Sequence, residues 1–411
     1  HKEYRRQRQM CIRDRGKDSS MIKKMEPNQN IQLDYSIQVS SAQTISQPYW
    51  LVEPKVEGMF VVNDQTMIGK AQNDPVFQCI IQMKIENQVF DFTIPVQYKF
   101  TDPTKGDVYQ PVAIIPTHEV KYEKEVYLMN GGQPVTVRYQ NIEHPGGSQW
   151  KSLTMRKFDD SLPTSPHAVY RKSIQYDHIP TITYFPSAST QLVNVTVQKQ
   201  GSKVGYFDGA GDKLPEALTE LGYQVTLLKE SDMVLDKLKS FDAIVVGIRA
   251  YNMYDYLTNN NDVINQYIEQ GGNFIVQYLK SNQVGNQKIK VGPFAFSVNA
   301  GKRVTQEDVP VIFSLPQHPV LNFPNKISAA DFDHWVQERT TYQAENIDAH
   351  FEMPLTMNDK GEAPSNGSLL IAPYGKGNIA YVSITLFRQL PAANPGAYKL
   401  LANIVSLPKH K

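Results

Sequence analysis

The chain has 411 residues, of which 41% are apolar and 20% are charged, and its formal net charge is +1. Because the charge is nearly balanced and the basic residues are dispersed, the sequence does not favour nucleic acid or an anionic membrane as a partner. The apolar runs are shorter than the roughly 18 residues that a membrane-spanning helix needs. A chain of this length is expected to form on the order of three domains.

Residues 1–29 are expected to form an artefactual or disordered lead segment, and residues 1–16 within it show neither the helical nor the strand period. Residues 1–16 are densely basic, and residues 10–15 read MCIRDR, which is also the translation of a transposase adapter used in sequencing libraries. We therefore expect residues 1–16 to be a sequencing artefact and the natural protein to continue upstream. A disordered basic tail is the alternative.

With Cys11 set aside, Cys79 is the one remaining cysteine. A disulfide framework and a cysteine-based zinc site are therefore excluded. Because Cys79 lies inside the apolar run at residues 76–81, we interpret it as a small core residue.

Two series of short strands precede residue 200, and each predicts a β-sandwich. The first sandwich covers residues 30–110 and ends near a turn-rich segment at residues 101–107. The second, smaller sandwich covers residues 111–200. The predicted strands are residues 31–40, 60–62, 76–85, 89–95, 112–116, 126–129, 135–139 and 192–198.

From residue 201 to residue 411 strands and helices alternate. Such alternation with short connections predicts an open α/β domain whose parallel sheet is covered by helices on both faces. The strand at residues 241–248 is apolar almost throughout, as expected for a buried parallel strand. The other predicted elements are a strand and glycine-rich turn at 203–212, strands at 223–228 and 271–278, helices at 215–222, 232–239, 262–270 and 396–407, and a hairpin at 369–384.

Several candidate site residues follow the predicted strands, at the edge where open α/β sheets bind ligands. Residues 209–212 lack both glycine patterns of nucleotide-binding loops, so we interpret them as a tight turn and disfavour NAD or nucleotide binding. Arg249 could bind a carboxylate or sugar hydroxyls through its planar fork, or could close the sheet end in an ion pair. No cysteine follows Cys79 and no GxSxG motif occurs, so neither thiol nor serine nucleophiles are predicted here.

A polar and aromatic group spans residues 331–339. Trp335 could offer a stacking face for a sugar, with carboxylates and Arg339 as hydroxyl partners. Alternatively, Trp335 anchors the loop and Arg339 pairs with a neighbouring carboxylate. His318 precedes this group, but no HExxH motif occurs and a metal site is disfavoured. In the first sandwich Trp50 is either a carbohydrate platform or, as we favour, a core residue.

Long motifs distributed over nearly all of the chain beyond residue 30 resemble one family. They lie at residues 49–54, 58–60, 95–107, 205–212, 241–252, 326–339 and 387–398. Together they look like the C-terminal region of large secreted deacetylases of the PIG-L (LmbE-like) family. The resemblance implies β-sandwich modules followed by a flavodoxin-like, class I glutamine amidotransferase-like (ThuA-like) domain.

The resemblance also implies a catalytic context. Members of the family carry a zinc-dependent deacetylase domain that acts on N-acetylglucosamine-type sugars and is marked by an AHxDD-type motif, which this sequence lacks. We therefore expect zinc only in a domain upstream in the same polypeptide and no cofactor in this chain. Tyr278 lies where amidotransferase-like domains carry their nucleophilic cysteine, so we expect this domain to bind rather than catalyse. A periplasmic or extracellular location follows from the resemblance alone.

The leading hypothesis is a non-catalytic accessory region that recognises or positions a glycan for the deacetylase. The alternatives are an independent hydrolase with a site at the carboxyl edge of the sheet, and a structural or interaction module. A pocket shared by Arg249, Asp331, Trp335 and Arg388 would favour a ligand-binding role. The candidate ligand-binding residues are Asp208, Asp212, Arg249, Tyr251, Asn252, Tyr278, His318, Asp331, Asp333, Trp335, Arg339 and Arg388.

Overall fold

In the described residues of the computed structural model, strands account for more of the chain than helices do, and the helices are short. The structure describes residues 7–14, 17–24, 28–30, 32, 34, 39–40, 43–56, 58–85, 88–158, 168–281 and 289–410, with the backbone alone at residues 7–14, 17–24 and 84–85. Within these ranges, no helix has the length and apolar character needed to cross a membrane.

The strands before residue 200 are β1 (Gln7–Asp14), β2 (Lys17–Lys24), β3 (Gln78–Ile85), β4 (Gln88–Pro95), β5 (Gln97–Asp102), β6 (Gly106–Pro111), β7 (His118–Tyr122), β8 (Val126–Asn130), β9 (Val135–Glu143), β10 (Ser148–Met155), β11 (Lys172–Tyr176), β12 (Ile179–Tyr184) and β13 (Gln191–Val195). Beyond residue 200 the strands are β14 (Lys203–Phe207), β15 (Gln224–Leu228), β16 (Ala243–Val246), β17 (Asn273–Gln277), β18 (Ser297–Val298), β19 (Ile312–Phe313), β20 (Ala344–Glu345), β21 (Leu355–Thr356), β22 (Leu369–Tyr374) and β23 (Gly377–Val382). The α-helices are α1 (Leu214–Glu220), α2 (Leu235–Leu238), α3 (Ala250–Met253), α4 (Asp255–Asn259), α5 (Asn261–Glu269), α6 (Pro319–Asn322), α7 (Leu386–Gln389) and α8 (Pro395–Val405).

The chain divides into two compact units. The first comprises His1–Glu123, Arg138–Lys151 and Pro163–Ser189, and the second comprises Lys124–Val137, Ser152–Leu162 and Thr190–Lys411. The first unit contains the hairpins β1–β2, β3–β4, β5–β6 and β11–β12, and β7 pairs antiparallel with β9. The predicted strand content of residues 76–85 and 89–95 is confirmed, whereas the grouping into two sandwiches and the boundaries at 110 and 200 stay predictions.

Some strand predictions before residue 200 are wrong. Residues 60–62 form no strand, and neither do residues 112–116, which lie between Pro111 and Pro116. Proline lacks the N–H that a ladder needs, and the Ile114 N–H instead donates to the Ser46 hydroxyl at 2.9 Å. Within the turn-rich segment at residues 101–107, only residues 103–105 form the turn, and the flanking residues are paired in β5 and β6.

Other predictions in this part fall on short or partly described segments. Trp50 lies in a 3-10 turn, Tyr49–Leu51, and not in a strand, because Pro48 before it favours a turn; the side chain is half-buried. The predicted strand at 31–40 lies largely outside the described residues. The lead segment, for which no regular structure was predicted, contains the β1–β2 hairpin. Its proposed artefactual origin stays a prediction.

The second unit is built on a six-stranded sheet with the order β15-β14-β16-β17-β23-β22. The first five strands are parallel, and β22 pairs antiparallel with β23. The strand and helix predictions for this part are confirmed, with boundaries that differ by a few residues. The sheet order reverses at β14, because β15 lies on one side of it and β16 on the other.

Successive residues of the central strands pack into different layers of the core. Ala243 and Val245 belong to a buried cluster that includes residues of α1, α6 and α8. Ile244 and Val246 belong to a second buried cluster that includes residues of α2, α3, α4 and α5. Both faces of the sheet are therefore covered, which is why β16 is apolar at every position.

Candidate functional site

The carboxyl ends of β14 and β16 lie where the strand order reverses, a position at which open parallel sheets bind ligands. Here the two chain segments pack directly on each other. The Ala210 N–H donates to the Ile248 carbonyl oxygen at 2.8 Å, and a Cβ added to Gly209 would overlap that same oxygen. Residues 209–212 are therefore a packed turn, as the sequence indicates, and not a cradle for phosphate.

The two aspartates of this turn differ in their surroundings. Asp212 accepts hydrogen bonds from the Tyr206 hydroxyl at 2.6 Å, from the Gln277 amide at 3.1 Å and from two backbone N–H groups. Burial, and then the charge of Asp212, raises the pKa of Tyr206, so its hydroxyl stays protonated and donates. Asp208 is exposed and accepts from the adjacent Gly209 N–H. Asp212 is thus a structural residue, and Asp208 is left facing solvent.

Arg249 lies just beyond β16, with φ at 59° in the left-handed region. Glycine adopts this region without strain, whereas another residue there costs on the order of 1 kcal/mol or more. The Arg249 N–H donates to the Tyr278 carbonyl oxygen at 2.8 Å and so joins the turns after β16 and β17. The side chain is exposed, and no salt bridge to it occurs among residues 43–56, 58–85, 88–158, 168–281 and 289–410. The ion-pair alternative is therefore not observed there.

Tyr278 lies directly after β17 at the centre of an aromatic group. Its ring stacks with Tyr342 at 5.4 Å between centroids and is tilted against Phe387 at 5.2 Å. Tyr278 is buried, and the other two rings are half-buried. Burial raises the pKa of Tyr278, and the charges of Arg249 and Arg388 only partly oppose this. The tyrosine stays protonated and supports two rings that reach the surface.

Arg388 lies on α7, which follows β23. Its Nη2 pairs with Glu338 Oε1 at 2.8 Å, and its guanidinium lies 5.1 Å from the centroid of Phe387. Its Nε is buried without a hydrogen-bond partner in the described part of the chain. Arg303 lies 5.8 Å from the centroid of Tyr342. Guanidiniums at such distances are attracted to aromatic rings.

We call this group the edge cluster, because it lies at the carboxyl edge of the parallel strands β16, β17 and β23. Its members are Arg249, Tyr278, Arg303, Glu338, Tyr342, Phe387 and Arg388. Three predicted candidates, Arg249, Tyr278 and Arg388, are therefore brought together. Arginine and aromatic side chains in this arrangement can bind a ligand that has both apolar and hydrogen-bonding surface.

Trp335 does not offer the stacking face that the sequence suggested. It is 3% exposed, lies 5.1 Å from Phe332 between ring centroids, and donates from Nε1 to the Asp331 carbonyl oxygen at 2.9 Å. The Asp331 carboxylate caps the turn at Ser328 and pairs with Lys399 at 2.8 Å. Both side chains make their contacts inside the fold, as the alternative interpretation of this loop has it, so neither adds to the case for a pocket shared with Arg249 and Arg388.

Arg339 is also an internal residue. It donates to the carbonyl oxygens of Phe332 and Val309, the latter at 3.0 Å, and burial lowers its pKa. The predicted pairing with a carboxylate is thus replaced by hydrogen bonds to backbone carbonyls. Asp333 is exposed, and its carbonyl oxygen accepts from the Asn394 amide at 3.2 Å.

Two further candidates, Tyr251 and Asn252, follow Arg249 on α3. Tyr251 is 2% exposed and packs in the core, where its hydroxyl has no hydrogen-bond partner among the described residues. Asn252 accepts from the Lys280 N–H at 2.7 Å and donates to the Ser281 carbonyl oxygen at 3.0 Å. Asn252 therefore holds the segment after β17 beside Arg249.

His318 is a helix cap and lies in the core of the second unit. Its Nδ1 accepts from the Val320 N–H at 3.0 Å at the start of α6, and its Nε2 contacts Glu352 at 2.8 Å. This geometry requires a neutral ring with its proton on Nε2. Burial lowers the pKa of His318, and the Glu352 carboxylate only partly opposes it.

We expect acidification to weaken the fold through His318. Because the folded-state pKa is depressed, the unfolded chain takes up the proton more readily, and stability is lost as the pH falls below about 6.5, the value of a free histidine. His318→Asn keeps an oxygen that can accept from Val320 but does not titrate. Urea denaturation at pH 7.5 and pH 5.5 measures the free energy of unfolding at each pH. The decrease between the two pH values should be smaller in the variant than in the wild type. An equal decrease in the wild type and the variant would show that groups other than His318 cause the acid sensitivity.

Sequence reasoning missed four members of the edge cluster as candidate site residues, namely Arg303, Glu338, Tyr342 and Phe387. Tyr342 has φ at 48° and lies in irregular chain, so no periodic pattern marks it. Phe387 belongs to the motif at residues 387–398 and precedes Arg388, which was the signal that could have identified it. Among the described residues, no group of three or more His, Cys, Asp or Glu could hold a metal ion.

Comparisons with models of protein families and with curated proteins give no match. Among solved structures, the β-galactosidase from Rahnella sp. R3 is similar at a TM-score of 0.31 and 16% identity over 52% of this chain and 32% of that chain. The exo-β-1,4-mannosidase Op5Man5 from Opitutaceae bacterium strain TAV5 has a TM-score of 0.28 and 10% identity over 51% of this chain and 37% of its own. The matches span about a third of those proteins.

Proposed function

We propose that this chain is a non-catalytic glycan-recognition region and that the edge cluster is its ligand site. One observation carries the proposal: the half-buried rings of Tyr342 and Phe387 lie beside two arginines, around the buried Tyr278, at the carboxyl edge of a parallel sheet. Ligand sites of α/β sheets concentrate at this edge.

The side-chain chemistry of the cluster matches the surface of a sugar. A pyranose has apolar C–H patches, which aromatic rings can cover, and hydroxyl groups on its rim. A guanidinium donates two hydrogen bonds from one planar fork and so suits neighbouring hydroxyls or a carboxylate. An apolar wall with a few converging polar groups is the usual composition of a small-molecule site.

We assign recognition and not catalysis to this site because it lacks an activated nucleophile. No cysteine follows Cys79, and Tyr278 occupies the position after β17. Since burial raises the pKa of Tyr278, its phenol stays neutral and is a poor nucleophile. Asp212, one of the two carboxylates in the turn at the switch point, already accepts hydrogen bonds from protein donors, and the other, Asp208, accepts from the Gly209 N–H.

The resemblance to secreted PIG-L deacetylases supports the same proposal. Its motifs at residues 241–252, 326–339 and 387–398 lie far apart in the chain, yet they contribute Arg249, Glu338, Phe387 and Arg388 to the cluster. We therefore propose an amidotransferase-like (ThuA-like) domain that positions glycan for a zinc-dependent deacetylase domain in the same polypeptide, in the periplasm or outside the cell. The β-sandwich assignment of the preceding modules belongs to this proposal.

A glycan array followed by isothermal titration calorimetry tests the proposal. We expect the wild-type chain to bind at least one oligosaccharide and Phe387→Ala to weaken that binding by about tenfold or more, since aromatic anchors typically contribute 1–3 kcal/mol. Trp150→Ala is the matched control, because Trp150 is an exposed ring 5.2 Å from the Arg138 guanidinium in the first unit.

The control should bind like the wild type and keep its melting temperature. Phe387→Ala removes a half-buried ring that packs against the core, so it should melt at a lower temperature, and its circular dichroism spectrum at the titration temperature should match that of the wild type. Absence of binding to every oligosaccharide on the array would refute the proposal. Unchanged affinity of Phe387→Ala would remove the edge cluster as the site.

A further inference from the structure

We propose that the glycan bound at the edge cluster carries an anionic group, a carboxylate or a sulfate, and that Arg249 is its counter-ion. This inference rests on the proposed glycan-recognition function and narrows it to acidic saccharides. Its basis is an imbalance of charge, since the cluster contains three guanidiniums, those of Arg249, Arg303 and Arg388, and one carboxylate, that of Glu338.

The single carboxylate is already committed to one of the arginines. Glu338 pairs with Arg388 at 2.8 Å; the Glu338 side chain is 10% exposed and the Arg388 side chain is 34% exposed. Among the residues with described side chains, no salt bridge joins a carboxylate to Arg249 or Arg303, in contrast to Arg388. Arg249 and Arg303 therefore carry positive charge that no described carboxylate neutralises.

The charged groups around Tyr278, at the centre of the cluster, show the same excess of positive charge. The charged groups that act on its phenol are the cations Arg249 and Arg388 and the anion Glu338. Asp208, the exposed carboxylate of the neighbouring turn, acts instead on Tyr206 and Tyr256. The excess of positive charge is thus located at the ends of β16 and β17.

The backbone that carries Arg249 is fixed in the absence of a ligand. Arg249 lies in the left-handed region, with its N–H bonded to Tyr278 at 2.8 Å. Asn252 secures the segment after β17 through Lys280 and Ser281. Because this backbone is already fixed, ligand binding has to order only the Arg249 side chain and not the loop that carries it, which lowers the conformational entropy lost on binding.

A neutral sugar bound over Arg249 would displace water from the guanidinium and would offer only hydroxyl oxygens as new hydrogen-bond acceptors. A carboxylate or sulfate can accept two charge-assisted hydrogen bonds from the guanidinium, and such bonds are roughly twice as strong as neutral hydrogen bonds. Covering a cation without a counter-ion is unfavourable. The site should therefore prefer an anionic sugar over its neutral equivalent.

The test uses a matched pair of ligands, an oligogalacturonate and the same oligomer with every carboxylate methyl-esterified, titrated into the full chain by calorimetry. We expect the free acid to bind about tenfold more tightly than the ester, with a preference that declines as salt screens the pair. Arg249→Gln should reduce the ratio of the two affinities towards one. Arg138→Gln, which removes a paired arginine of the first unit, should keep the wild-type ratio.

A sulfated oligosaccharide and its desulfated form provide the second arm, and a preference in either arm supports the proposal. Equal affinities for charged and neutral forms in both arms would overturn it, while binding itself would leave the glycan-recognition function intact. An undiminished ratio in Arg249→Gln would overturn the role of Arg249. If neither arm nor any neutral oligosaccharide binds, the underlying function fails as well.

Discussion

Asp212→Ala should lower the free energy of unfolding by about 3 kcal/mol, whereas Asp208→Ala should change it by less than about 0.5 kcal/mol. Both carboxylates belong to the turn after β14, but their partners differ. Asp212 accepts from the buried Tyr206 hydroxyl at 2.6 Å and from the Gln277 amide at 3.1 Å. Without the carboxylate these donors lose their partner, and each unpaired buried group costs about 1–3 kcal/mol. Asp208 is exposed and caps one N–H.

Fluorescence of Trp335 allows the measurement, because Trp335 is buried in the second unit. The other two tryptophans, Trp50 and Trp150, are replaced by phenylalanine in every variant so that the signal comes from this unit alone. Asp212→Asn should fall between the wild type and alanine, since an amide keeps one acceptor oxygen. Equal losses for the two alanine variants would show that the bonds of Asp212 do not stabilise the turn.

The sheet of the second unit could be predicted because both of its faces are buried. A strand such as β16, whose neighbouring residues enter two different core clusters, must be apolar at every position, and this pattern is strong in the sequence. The position of Arg249 and Tyr278 followed from the same argument, because parallel strands end at one edge. The strands before residue 200 form small sheets, and the alternation of apolar and polar residues in a strand does not show which other strand it pairs with. Proline interrupts the strand that was predicted at residues 112–116.

The composition of the site was harder to predict because local polarity does not show where a polar side chain points. Residues 331–339 resemble a surface recognition loop in composition, yet Trp335 and Arg339 bond to carbonyl oxygens inside the fold. Conversely, Tyr342 reaches the edge cluster from irregular chain, where no periodicity locates it. Such long-range neighbours depend on tertiary packing, so they become visible only in the structure.

Gly396→Ala should destabilise the second unit by about 3 kcal/mol or more, because the added methyl group has no room. Gly396 lies in the first turn of α8, and a Cβ there would overlap the backbone carbonyl group of Asp331. A backbone oxygen cannot rotate away as a side chain can, so α8 or the turn before Trp335 must shift. The shift would also strain the ion pair between Lys399 on α8 and Asp331.

Gly301→Ala is the matched control within the same unit, since the nearest atom to its added Cβ is the Asn299 side-chain oxygen at 3.3 Å, which can move. Its effect should stay within about 1 kcal/mol. Denaturation followed by the fluorescence of Trp335 measures the free energy of unfolding of both glycine variants. If Gly396→Ala is no more destabilising than Gly301→Ala, the close contact between α8 and Asp331 is wrong. A large loss would instead show that this glycine, part of the motif at residues 387–398, serves packing, whereas Phe387 and Arg388 of the same motif belong to the edge cluster.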